Sequence, residues 1–201
     1  MMSPLNRLYN RLRAEDGSVS IEAILMFPLL IWAWIAMYTF FEGLRENNIN
    51  LKASYTIGDL LSRETSTIDM GYLNGMVDVF AWLTRTNQDV GLRVTVVRWN
   101  EADERHDLVW SRGLSGQADL TQEGVDAVLT PSIPILADAD TAIVVETWAQ
   151  FEPVMEIGLT DTTIYNVVVT PPRFSEQLVL EGINDGTGSN HDDGMDGAAG
   201  M

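Results

Sequence analysis

Glu22 stands at the head of an uncharged run. Gly17 lies five positions before it, and from Ala23 to Phe41 no residue carries a charge: AILMFPLLIWAWIAMYTFF. A carboxylate in a hydrocarbon slab costs about 2.5–3.5 kcal/mol at mid-span and less near an end. It therefore either reaches water at the interface or has a cationic partner. Proteolysis makes one such partner. A cut after Gly17 leaves Ser18 as the first residue, bearing a free α-amino cation, and Glu22 becomes the fifth residue of the shortened chain. The amine of one subunit can then pair with the glutamate of a neighbour. Low dielectric strengthens that pair and desolvation takes back much of the gain, so its value is in register and subunit recruitment rather than stability.

Other chemistry has little material. There is no cysteine, which excludes a disulfide framework, cysteine-based zinc sites and thiol nucleophiles. The two histidines, His106 and His191, are far apart in polar, turn-like stretches and read as solvated bystanders. No G-x-S-x-G, P-loop, H-E-x-x-H or G-x-G-x-x-G is present. Asp103/Glu104 and Asp138/Asp140 fall in expected turns, where carboxylates are solvated, and the tail's DDGMDG lacks the spacing of a calcium loop. The sequence reading is therefore of a protein that is not an enzyme, with no catalytic residue, cofactor or metal. A two-carboxylate hydrolase is the remaining enzymatic alternative.

These residues must be positioned by a helix. The 19 residues of the run rise about 28 Å as an α-helix, close to the ~30 Å of a hydrocarbon core. The run has no polar stripe of the kind a buried core helix shows, and it is longer than the ~7–15 apolar residues of a signal peptide. Its far end carries Tyr38, Phe40 and Phe41, which suit a membrane–water interface. Pro28 removes a backbone donor inside the span, so a kink is expected there. In the first twenty residues Arg7, Arg11 and Arg13 outnumber Glu15 and Asp16 by one. Glu22 cancels that charge, so the chain after Phe41 carries the whole net −17. The positive-inside rule puts the N-terminus in the cytoplasm and the body across the membrane, in the periplasm of a Gram-negative cell. So acidic a body is repelled by nucleic acid phosphates, which excludes a nucleic-acid-binding role.

The stretch EDGSVSIEAILMFPLLIWAW resembles the N-terminus of TadE/TadF-like pseudopilins of the tight-adherence (Flp pilus) system. Those proteins combine a short basic leader, an acidic–glycine pair, a glutamate five beyond the glycine and a proline six beyond the glutamate; here these are Asp16-Gly17, Glu22 and Pro28. Where the family often has an aromatic after the glutamate, this chain has Ala23. The strong match covers residues 13–36, with fainter echoes in VVETWAQFEPV (144–154) and TPPRF (170–174). The resemblance implies cleavage between Gly17 and Ser18 by a prepilin peptidase of the aspartic membrane type. It also implies an inner-membrane location, other pilins or pseudopilins and the pilus assembly platform as partners, and a part in pilus biogenesis or initiation. The alternative is a generic single-pass anchored periplasmic interaction domain without processing.

The rest reads as α+β. One long helix is expected from about 19 to 65, its outer part packing through Leu44, Leu51 and Tyr55. A second helix follows from the stripe Leu73, Met76, Val77, Phe80 and Ala81, capped by Thr67 or Asp69, with Met70 and Met76 filling core. LRVTVVRW (92–99) alternates with Leu92, Val94 and Val96 on one face and forms a hairpin with 107–112. A short helix over 120–129, capped by Thr121, stops before Pro131. Strands at 142–151 and 163–170 complete an antiparallel sheet of about four strands on the helices. Trp99, Trp110 and Trp148 are read as core anchors. The expected division is a cytoplasmic leader (1–17), a transmembrane helix (18–41), a periplasmic head (42–181) and a disordered acidic, glycine-rich tail (182–201).

Overall fold

The computed structural model describes residues 16–183 apart from 87 and 156, with side chains from residue 20 onward. The leader before residue 16 and the tail from 184, with His191 and DDGMDG, lie outside the described residues. Helix α1 spans Asp16–Ser62 and helix α2 spans Met70–Thr84. Strands β1 (Val90–Asn100), β2 (Arg105–Leu114), β3 (Thr141–Phe151) and β4 (Thr162–Thr170) form one sheet in the order β2-β1-β3-β4, with every pairing antiparallel. The expected α+β class, long apolar N-terminal helix, second helix and four-stranded antiparallel sheet are all present. The chain divides into two compact units. One is the chain up to Arg45 with Glu152–Asp161; the other is Glu46–Phe151 with the chain from Thr162.

In the second unit, α1 packs on the sheet through Asn50, Ala53, Ser54, Ile57, Leu61 and Ser62, all buried. This corrects the expected face: Leu44 is 65% and Tyr55 58% exposed. The buried residues do follow helical i, i+3, i+4 spacing, but half of them are polar. Their donors are all engaged, while the Asn50 side-chain oxygen is left without a partner among the described residues. The Ser54 hydroxyl shares a 2.7 Å hydrogen bond with Thr147 of β3, and Asn50 donates to the Glu46 carbonyl. Gly58 allows a close approach, since a Cβ there would stand 3.3 Å from Val168 Cγ1 of β4.

Helix α2 begins at Asp69, whose carboxylate accepts a 2.6 Å hydrogen bond from the Tyr72 amide, and it buries Leu73, Met76 and Phe80. Met76 fills core as expected, but Met70, at the first helical position where the stripe begins, is 43% exposed. The helix residues join Ile68, Leu178 and Leu180 over one face of the sheet, against Leu92, Val94, Val96, Trp110, Ile143 and Val145. Residues 68 and 180 form a parallel bridge, and the Trp110 indole donates to the Leu178 carbonyl. Trp99 and Trp110 are thus core anchors, while Trp148 is half-buried.

The sheet also has a second buried face. Val97, Ala142 and Val144 pack there with Val125, Leu129 and Ile133. The cover is the segment expected as one short helix. It starts at its Thr121 cap, turns α-helical over Gln122–Gly124, widens to a π-turn over Val125–Leu129 and tightens to 3₁₀ over Thr130–Ser132, so Pro131 lies inside the helical run rather than ending it. Under this cover His106 is buried, contrary to the solvated reading. Its ring packs against Trp99 at 4.7 Å, and its Nε2–H donates to the Pro134 carbonyl at 3.2 Å.

Candidate functional site

The residues singled out by spacing all lie on α1, in the first unit. Gly17 and Ser18 fall in the first turn of the helix backbone. Glu22 follows Ser18 by four residues, one helical turn. Since Cα–Cβ bonds tilt toward the N-terminus, a side chain at this spacing leans back over the turn that Ser18 begins. Around Glu22 the helix shows apolar side chains outward: Ile21, Ile24 and Leu25 are 63%, 70% and 71% exposed. That exposure continues through Phe27, Trp32, Trp34, Met37 and Phe41. A helix apolar on every side and uncovered has no place in a water-soluble core. It is long and apolar enough to cross a membrane.

Pro28 is inside this helix, and the helix continues across it. Without an amide proton at Pro28, the Ile24 carbonyl loses its i+4 donor, a loss that membrane helices tolerate more readily than soluble ones. Near the far end Trp34 stacks on Tyr38 at 6.2 Å and Thr39 folds its hydroxyl back onto the Ile35 carbonyl.

The second unit holds a polar constellation that sequence reasoning did not find. Glu146 on β3 is fully buried and faces its register partner Arg93 on β1. Arg93 Nε and one terminal nitrogen donate to the two carboxylate oxygens at 2.6 Å each, and the other terminal nitrogen donates to the Ala118 carbonyl at 3.2 Å. Tyr165 on β4 donates its hydroxyl to the same carboxylate at 2.6 Å. The Arg93 guanidinium lies 5.0 Å over the Trp148 ring, and Trp148 lies 5.2 Å from Tyr165. Burial pushes the Tyr165 hydroxyl well above its ordinary 10.0; the hydrogen bond to Glu146 and that carboxylate's charge add to the shift, and Arg93 opposes it.

Every carboxylate oxygen here is engaged by a donor, so the cluster ties β1, β3, β4 and the segment at Ala118 together. The available sequence signal was the alternation of Arg93, Thr95, Glu146 and Trp148, which reads equally as a solvent face. Among the described residues, no three His, Asp or Glu side chains gather closely enough to hold a metal ion.

No protein-family model matches the chain, and comparison with curated proteins and with solved structures gives no match either.

Proposed function

We propose that this chain is a single-span membrane protein that acts in assembly: a TadE/TadF-like minor pseudopilin of a tight-adherence (Flp-type) pilus system. In this reading a prepilin peptidase cuts between Gly17 and Ser18, and the exposed apolar part of α1 packs laterally against other pilins or the inner-membrane platform. The N-terminus is cytoplasmic and the second unit periplasmic. The observation that carries the reading is a single carboxylate, Glu22, one turn beyond Ser18, on a stretch of helix that from residue 20 to 34 is otherwise uncharged and exposed throughout.

Cleavage would create a cation one turn from that carboxylate. Before assembly the two neutralise each other within one chain, which lowers the penalty of keeping either at the lipid boundary. On assembly the carboxylate exchanges this partner for a neighbour's amine, which sets the axial register between helices.

The test is the N-terminus of the protein in native membranes. Intact mass should show loss of residues 1–17 when the cognate peptidase is present, and a Gly17→Ala chain should keep them. A wild-type chain that retains its leader beside an active peptidase overturns this reading in favour of an unprocessed anchored interaction domain.

A further inference from the structure

Between β3 and β4 the chain runs through residues 152–161, EPVMEIGLTD, which form one compact unit with the apolar helix up to Arg45. Gly158 meets the Phe40 ring: a Cβ built there would lie 3.4 Å from its outer carbon. Gly158 has φ +79°, a left-handed conformation that lets the loop turn at this contact. In this stretch of α1, Ile35, Ala36, Thr39, Glu42 and Gly43 are less exposed than their neighbours, and Thr39 is buried at 2%. Their spacing marks one covered strip of the helix.

The tip of the loop is apolar, flanked by the exposed Glu152 on one side and Thr160 and Asp161 on the other. Val154 is 75% and Met155 48% exposed, with Ile157 and Leu159 half-buried behind them. Such a surface in water is unfavourable by roughly 25 cal/mol for each Å² of apolar area. Its position suggests what covers it. Phe40 is the last residue but one of an uncharged span about 28 Å long, so if that span fills a bilayer, whatever touches Phe40 lies at the hydrocarbon boundary.

We propose that the β3–β4 loop is a second membrane contact, placing Val154 and Met155 in the lipid interface beside Phe40. This rests on the reading of α1 as a membrane span. The loop carries Glu152, Glu156 and Asp161 and no basic residue, so the surface it suits is zwitterionic rather than anionic. With both the helix end and the loop in the interface, the chain has two points of attachment, which restricts rotation about the helix axis.

The absence of cysteine makes a single-site label direct. The full-length chain carrying Val154→Cys, and separately Met155→Cys, is labelled with an environment-sensitive fluorophore in phosphatidylcholine vesicles. Ile31→Cys, at mid-span, is the companion. The expected result is loss of emission at 154 and 155 with a quencher attached high on the acyl chain, and loss at 31 with one attached deep. Emission at 154 and 155 that stays water-like, or that is blue-shifted yet unquenched because protein covers the loop, overturns the proposal while the Ile31 label is still quenched. If the Ile31 label is itself water-like, the membrane reading of α1 fails and the loop contact fails with it.

Discussion

Two glutamates in this chain stand in apolar surroundings, and they are met in opposite ways. Glu146 has a full set of donors, whereas Glu22 stands on an apolar helix surface one turn from a bond whose cleavage would supply a cation. Glu22→Gln keeps the size and removes the charge. Under the proposed assembly function the variant is expected to insert in membranes normally and to co-purify poorly with the pilins that function would require; undiminished co-purification would count against the pairing. Glu146→Gln leaves Arg93 buried without its counter-charge, and loss of one partner of a buried pair costs about 3–5 kcal/mol. A denaturant midpoint shifted by much less would mean that water reaches the cluster. Tyr165 adds a pH signature. Its hydroxyl is raised above 10.0 in the fold, so its contribution is complete below pH 10 and is lost as pH climbs through the folded value. Tyr165 is 43% exposed, so solvent weakens its bond, and Tyr165→Phe should lower stability at neutral pH by only about 0.5–1.5 kcal/mol and flatten the alkaline loss, as read from unfolding curves on either side of pH 10.

At the scale of elements, the sequence told more about where helices and strands lie than about which faces they bury. The stripe of α2 and its Asp69 cap were legible because apolar residues at helical spacing coincide with an N-cap acid. The outer part of α1 was not, because its buried stripe runs through Asn50, Ser54, Gly58 and Ser62, and a reading that seeks apolar residues prefers Leu44, Leu51 and Tyr55. Likewise His106 looks solvent-facing until the cover that ends at Pro134 is known, and Arg93 until Glu146 and Trp148 are brought to it from a strand some fifty residues on; both depend on long-range packing. The spacing of Gly17, Ser18 and Glu22, by contrast, is local in sequence, and the structure adds only that all three lie on α1. Leu61→Ala should cost about 2–5 kcal/mol and Tyr55→Ala within about 0.5, a contrast that urea unfolding of the two variants measures directly. Equal losses would restore the face expected from periodicity.

At the scale of the molecule, the second unit has its own core on both faces of its sheet, so it should fold without the span. A chain of residues 46–201 is expected to remain in solution and to unfold in one cooperative transition reported by the buried Trp110. In that truncated chain the 152–161 loop has lost Phe40 and should become the first site of proteolysis; a loop as resistant as in the whole chain would show that it needs no helix beneath it. The sheet margins differ as well. Along β2 the outward Leu108 and Gly113 amides donate to Gln122 and Asp119, and the His106 carbonyl accepts from Gln122. Along β4, among the described residues, no backbone group outside β3 pairs with the strand, and its nine residues TTIYNVVVT include no charge and no proline to deter pairing. With side chains engaging the margin at β2 and none of the described backbone beyond β3 engaging the margin at β4, any pairing of two copies through their sheets would use β4 and would end at two molecules.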